Sequence, residues 1–460
     1  MPRICMSDLV RIPVDCDSGA LLALHRLDCE RYPALLASTA SAGALGRYDI
    51  LFCHPLGALV KRQNGTLSAS GVELDTSQGF LSALDRWWLA ERSSAVGSEP
   101  PFTGGWFVFL GYEIAMEIEP TLNLPASPDP VVAMALRIPA ALIHDRRGSR
   151  TEIVAEAMYA GLSREILADL ARLRRQATRP IIVEETREDE PARHLRAIAR
   201  AKAYIAAGDI YQANLSREWR VRLDASARSA DLFAALCAAN PAGFAGIAVL
   251  GAETIVSSSP ERLITIRDGV VSTRPIAGTR PRAADRSSDA LDGALLVAHP
   301  KERAEHIMLI DLERSDLGRV CEAGSVEVDE LMVVESYAHV HHIVSNVRGR
   351  LRHGLSPIDA LRAVFPGGTI TGVPKVRCMQ IIAELEGQGR GAYTGTMGYL
   401  NRDGSCDFNI LIRTMVRRGN ELRFRAGGGI VADSVPDREL EETRAKARGL
   451  LRALGLEGCP

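Results

Sequence analysis

The chain has 460 residues, long enough for a substantial core and for about two to four domains of ordinary size. Hydrophobic residues make up 46% and charged residues 24%, a globular composition that excludes intrinsic disorder. The 55 Lys and Arg against 57 Asp and Glu leave a net charge of −2, so neither nucleic acid nor an anionic membrane surface is expected as a partner.

At the N-terminus Arg3, Asp8, Arg11 and Asp15 interrupt the apolar residues, which argues against a signal-peptide core and leads us to expect a cytoplasmic protein. No uncharged apolar run approaches the roughly 18–20 residues that cross a bilayer. Strand-like runs at 49–53, 106–110 and 131–136 alternate with turn residues, so residues 1–176 form a β-rich domain, closed by a helix at 164–175 with Ser163 as its N-cap. Residues 177–193 crowd charge and two prolines together and are expected to be a linker. Residues 194–460 then alternate helical patterns at 194–207, 300–317 and 437–454 with β-branched runs at 254–256, 262–266, 409–415 and 421–426. The class is mixed α and β, with large antiparallel sheets. The nine cysteines are scattered singly without a C-x-x-C, as reduced structural thiols would be.

Two helical segments carry glutamates three residues apart. Glu302 and Glu305 share one helix face, as do Glu439 and Glu442, with Lys446 one turn further on. Alone, each pair reads as a solvated face; together, four carboxylates could hold one Mg²⁺, a hard cation that takes oxygen ligands and leaves positions for water or an anionic substrate. Zinc is excluded for want of a Cys/His set. Gly427, Gly428 and Gly429 let backbone N–H groups approach an anion, because no Cβ intervenes. Arg413, in the apolar run NILIRTMV, needs an anionic partner, either a ligand carboxylate or a structural salt bridge. FPGGTITGVPK fails as a phosphate loop, because Val373 and Pro374 separate Gly372 from Lys375. Neither a nucleophile elbow nor a glycine-flanked cysteine nucleophile is present, so any glutamine nitrogen must come from another polypeptide.

The motifs GDIYQANLSREW, SSSPERLI, RPIAGTRPR, PKERAEHIMLIDLERSDLGRV, HHIVSNVRGRL, FPGGTITGVPKVRCMQIIAELE, YTGTMGYL, IRTM and GGGIVADSVPDRELEETRAKA cover over half the chain in order. On them the chain resembles the chorismate-utilising enzymes, close to component I of aminodeoxychorismate synthase and of anthranilate synthase. The resemblance implies an α+β fold whose large, mostly antiparallel sheets pack as a sandwich flanked by helices. It also implies a catalytic domain over 194–460, Mg²⁺, chorismate as substrate and a separate glutamine amidotransferase subunit supplying ammonia. No fused lyase domain is expected.

Carried over residue by residue, Glu305 and Glu442 ligate Mg²⁺ and Glu302 and Glu439 support it through water. Gly278, Thr279, Tyr393, Arg413, Gly427, Gly428, Gly429 and Lys446 bind chorismate. Glu261 is the general acid for the departing C4 hydroxyl, and His342 assists acid–base steps or orientation. Thr279 and Gln212 complete the catalytic set. Relatives that add water carry a lysine at position 212, whereas Gln212 has no basic site, so ammonia is the expected nucleophile.

Ala277 bears on regiochemistry. Aminodeoxychorismate synthases typically read PIKGT, with a lysine that attacks C2, and anthranilate synthases read PIAGT, as here. RYDI, YQANLS and DFNILIRT point the other way, and the reading adopted is amination at C4 toward p-aminobenzoate and folate, with anthranilate formation as the alternative. A non-catalytic chorismate-binding protein is a more remote one. In this family the N-terminal part can also bind tryptophan, and Leu36, Ser38 and residues 47–50 are candidates for that pocket.

Overall fold

The computed structural model describes residues 9–40, 46–94, 99–174, 177–281, 295–296, 298–336 and 340–456. Arg3, Cys5, Asp8 and Cys459 lie outside the described residues, as does the side chain of Thr279.

Strand-forming runs from both ends of the chain pair antiparallel into two sheets. In the 12-stranded sheet Leu9–Val14, Arg150–Glu156, Ala140–Asp145, Tyr48–Cys53 and Ala34–Ala37 are followed by Phe244–Leu250, Glu253–Ser259, Thr414–Arg418, Glu421–Ile430, Gln212–Leu223 and Val183–Glu188. The 11-stranded sheet runs from Ile276–Pro281 through Val340–Arg350, Val270–Thr273, Arg262–Arg267, Cys406–Asn409, Thr396–Asn401, Gly105–Leu110 and Val131–Ile138 to Gly57–Arg62 and Leu67–Ser70. Gly372–Val373 and Glu327–Ser336 pair at their margins.

The two sheets pack face to face. Between them lies a core of Phe52, Phe102, Phe107, Phe109, Met134, Ile255 and Met397, which is why Gly105–Leu110 and Val131–Ile138 are buried along their whole length instead of alternating. The outer face of the 12-stranded sheet is covered by helices Ser18–Leu27, Leu162–Arg172, Ser229–Ala239 and Pro436–Ala453. Helices Phe80–Glu91, Pro300–Gly318 and Pro357–Val364 cover the other, while Lys375–Glu386 packs on Gln212–Leu223 of the 12-stranded sheet. The result is the expected sandwich of antiparallel sheets between helical layers. Among the described residues no helix is long and apolar enough to cross a membrane. The seven described cysteines are free thiols.

Three local expectations change. The helix expected at 164–175 spans Leu162–Arg172 with Gly161 at its N-cap, so Ser163 lies buried in the first turn and caps nothing. The run 409–415 is not one strand: it breaks between Cys406–Asn409 and Thr414–Arg418, because the chain changes sheet there. The glycine run continues its strand to Ile430, with Ser216 opposite Gly427, Leu215 opposite Gly428 and Asn214 opposite Gly429. Residues 177–193 contain the edge strand Val183–Glu188, and strands from both sides of that segment share each sheet.

Candidate active site

The chain passes between the sheets at two neighbouring steps. One is the Pro260-Glu261 link between Glu253–Ser259 and Arg262–Arg267, and the other is residues 410–413. Hydrogen bonds tie the steps together: Ile410 N–H donates to the Glu261 carbonyl at 2.9 Å, Ser258 N–H to the Arg413 carbonyl at 3.0 Å, and the Ser259 hydroxyl to the Ile410 carbonyl at 2.5 Å. A strand cannot stay in one ladder while crossing to another, so the backbone is irregular there. Arg413 adopts φ 53°, a left-handed conformation unusual for a residue with a Cβ.

Glu261 is 4% exposed, and one carboxylate oxygen, Oε1, is buried without a hydrogen-bond partner. Burial pushes its carboxyl up to about 7, against the opposing pull of the Thr369 hydroxyl, the Ile276 N–H and the charges of Lys446 and Arg413. Arg413 is held below its ordinary value by burial, with Tyr393, Glu442 and Glu261 opposing. Among the described residues its guanidinium has no hydrogen-bond or ion-pair partner, so the structural salt bridge that would explain it internally is not made. The planar fork of a guanidinium matches the two oxygens of a carboxylate.

The glycine strand forms the adjoining wall. Beyond Phe424 it is paired on one side only, with Gln212–Leu223. A Cβ at Gly427 would come within 2.9 Å of the Tyr393 hydroxyl, and one at Gly429 within 2.5 Å of Gln212 Nε2. A Cβ at Gly428 would meet Glu442 Oε1 at 3.3 Å, Glu439 Oε2 at 3.6 Å and Lys446 Nζ at 3.6 Å. The glycines thus admit these side chains to the strand surface, and Lys446 Nζ is fixed there by the Gly427 carbonyl at 3.0 Å and Glu442 at 2.6 Å.

On the other flank Gly278 has φ 62° at a bulge between Ala277, opposite Ile343, and Thr279, opposite His342. Its absent Cβ leaves room for Glu302 Oε2, which would otherwise sit at 2.9 Å. His342 Nδ1 lies 3.4 Å from the Gly278 carbonyl, and burial pushes the imidazole down to about 4. Such a ring is neutral at pH 7.

The four glutamates fall in two sets, Glu302 beside Gly278 with Glu305 one turn along its helix, and Glu439 with Glu442 over Gly428. Among the described residues no three Asp, Glu, His or Cys side chains are gathered closely enough to form a metal cluster. The candidate tryptophan-pocket residues Leu36, Ser38, Arg47, Tyr48 and Ile50 line a separate cavity of about 350 Å³ that also reaches Tyr399.

Sequence reasoning passed over two groups. Glu386, in the quoted IIAELE, is buried between Arg390 and Arg425 and accepts from Ser216, and Arg390 lies over the Tyr112 and Tyr393 rings, 5.0 and 5.7 Å from their centroids. The second group is Glu313, Asp316 and Lys375, behind Glu261. A charged residue on an apolar helix face would have been the signal for Glu386.

The profile of the chorismate binding enzymes matches residues 53–452, and the chain belongs to that family. It is 38% identical to anthranilate synthase component 1 of Pseudomonas aeruginosa over 92% of this chain and 90% of that one. It is 36% identical to aminodeoxychorismate synthase component 1 of Bacillus subtilis over 97% of this chain and 96% of that one. The crystal structure of anthranilate synthase component I from Streptococcus pneumoniae superposes with a TM-score of 0.78 at 29% identity, covering 89% of this chain and 93% of that one.

Proposed function

We propose that the protein is an aminodeoxychorismate synthase component I, which converts chorismate and ammonia to 4-amino-4-deoxychorismate. The observation that carries the reaction class is the pairing of an acid poised near neutrality, Glu261, with the unpartnered guanidinium of Arg413 at the crossing of the two sheets. Arg413, the glycine strand and Lys446 bind the carboxylates of chorismate, Tyr393 closes the pocket, and neutral His342 orients the ring beside Gly278. Glu261 gives its proton to the C4 oxygen, the C4–O bond breaks, and water leaves. Ammonia adds to the ring and loses a proton. Gln212 offers no base with which to activate water in its place.

The all-oxygen donor set suits Mg²⁺, and the room left at Gly278 and Gly428 admits the carboxylates that would hold it. In this reading Glu305 and Glu442 ligate the ion while Glu302 and Glu439 support it through water; when bound, it neutralises and orients a substrate carboxylate. The designation component 1, shared by both named relatives, supports a partner subunit, which we read as a glutamine amidotransferase feeding ammonia.

Amination at C4 is supported by RYDI, YQANLS and DFNILIRT, since relatives named for either reaction align over nearly the whole of both chains. Ala277 favours the second reading, amination at C2 to anthranilate, because alanine cannot form a covalent adduct with the ring. Incubation of the purified chain with chorismate, Mg²⁺ and ammonium, with and without an aminodeoxychorismate lyase, decides between them. p-Aminobenzoate formed only with the lyase is the result we expect; anthranilate formed without it assigns the protein to tryptophan synthesis.

A further inference from the structure

The helix Pro300–Gly318 brings a second carboxyl group behind Glu261, away from the glycine strand. Glu313 is 6% exposed, and its Oε1 lies 3.2 Å from the position a Cβ on Gly368 would occupy. Its carboxyl faces the Thr273 hydroxyl, while Glu261 faces the Thr369 hydroxyl and the Ile276 N–H. Both acids therefore touch the same two pieces of chain, 273–276 and 368–369. Glu261 Oε1, Thr273 Oγ1 and Thr369 Oγ1 are each buried without a fully formed hydrogen bond. Two unsatisfied hydroxyls beside two buried carboxyls, with Glu261 Oε1 a third unsatisfied oxygen, are costly in a passive core.

Further along the same helix lies a largely buried ion pair. Asp316, one turn beyond Glu313, pairs with Lys375 Nζ at 2.5 Å, and Lys375 also donates to the Val364 carbonyl at 3.1 Å. Asp316 is buried and Lys375 nearly so, with 8% and 13% of their side chains exposed. Burial, with Asp316 adding to it, pushes Glu313 up to about 8, and Lys375 opposes the shift.

We infer that Glu313 is the proton store for Glu261, a positioning residue that returns a proton to it through the Thr369 and Thr273 hydroxyls while substrate still covers the pocket. The inference rests on the reading of Glu261 as the general acid. After Glu261 has protonated the C4 oxygen, its carboxylate takes a proton from the Thr369 hydroxyl, which takes one from Thr273, which takes one from Glu313. The Glu313 carboxylate recovers its proton from water beside Asp316 and Lys375. Each hydroxyl accepts and donates one proton, and no other reactant is consumed.

The test compares wild type, Glu261→Gln, Glu313→Gln and Thr369→Val, following chorismate consumption at fixed free ammonia whichever product forms. We expect Glu313→Gln, near-isosteric with a protonated acid, to lower kcat roughly 10- to 100-fold with the chorismate KM unchanged. Its solvent deuterium isotope effect on kcat should rise. The alkaline limb of its kcat/KM profile should stay near 7, because Glu313 is still uncharged when Glu261 loses its proton. The groups bearing on that limb are Asp316, Lys375 and Thr273 around Glu313, and Thr369, Lys446 and Arg413 around Glu261. Thr369→Val gives the same isotope signature if the path is used, and it decides the matter should Glu313→Gln not fold. Wild-type kcat and isotope effect in both variants, with Glu261→Gln inactive, overturn the role of Glu313 alone. An active Glu261→Gln, or a wild type that consumes no chorismate, overturns the function reading along with it.

Discussion

Arg413 shows how a fold concentrates chemistry on one side chain. Its left-handed backbone is held by the sheet change at 410–413, and among the described residues its guanidinium has no partner. Arg413→Ala should raise the chorismate KM roughly 10- to 100-fold, the loss expected for one charge-assisted hydrogen-bonded contact. Arg413→Lys should recover only part of that, since an ammonium keeps the charge and loses the fork. Steady-state kinetics on the two variants check this, and an unchanged KM in Arg413→Ala places the substrate elsewhere. Glu261 sets a second observable. Its carboxyl must be protonated to act, and burial keeps it protonated up to about 7 instead of the ordinary carboxylate value. At fixed free ammonia, kcat/KM should therefore fall as pH rises through about 7, and a profile flat across that range removes Glu261 from the acid role. Both residues were legible in the sequence, Arg413 from its apolar surroundings and Glu261 from its motif. Glu313 was not, because among DLERSD it is one of four charged residues on a helix whose buried side the sequence does not announce.

At the scale of elements, the strands and helices were legible from periodicity, and their ends moved where tertiary structure overrode it. Nothing in NILIRTMV says that the chain leaves one sheet and joins another within four residues. Nor does a triple glycine announce that it continues a strand, since it does so only because Tyr393, Glu442 and Gln212 occupy the room its missing side chains leave. The helix Lys375–Glu386 supplies what lies beneath that wall. Burial alone would raise Glu386, yet Arg390 and Arg425 hold it down to about 2. A carboxyl with a depressed pKa adds stability that is present above its unfolded value, near 4.5, and lost as pH falls toward the folded one. Urea unfolding should show this increment, on the order of 3 kcal/mol, draining away between pH 4.5 and 2 in the wild type and absent from Glu386→Gln. Glu386→Ala should cost about 3–5 kcal/mol at neutral pH, because two arginines remain buried without their counter-charge. Equal acid sensitivity in wild type and Glu386→Gln would mean that the pair is not ionised.

For the whole molecule, the decisive feature is that neither sheet belongs to one half of the chain. Ala34–Ala37 pairs with Phe244–Leu250 in one sheet, and Gly105–Leu110 pairs with Thr396–Asn401 in the other. The core between the sheets draws Phe52, Phe107 and Phe109 from before residue 177 and Ile255, Met397 and Leu411 from after it. Removing residues 1–176 would expose two long apolar strand edges at once, together with one face of that core, a combination that favours aggregation over folding. A fragment of residues 177–460 should accordingly be insoluble or molten when expressed alone, although it carries every side chain assigned to chemistry. Coexpression with residues 1–176 should restore a soluble complex and its turnover of chorismate, since both seams can re-form without a covalent link. The intact chain should unfold in a single thermal transition followed identically by tryptophan fluorescence and far-ultraviolet circular dichroism. A soluble 177–460 fragment with its own cooperative transition and wild-type kcat would refute this interdependence and make the N-terminal strands an accessory to an autonomous catalytic unit.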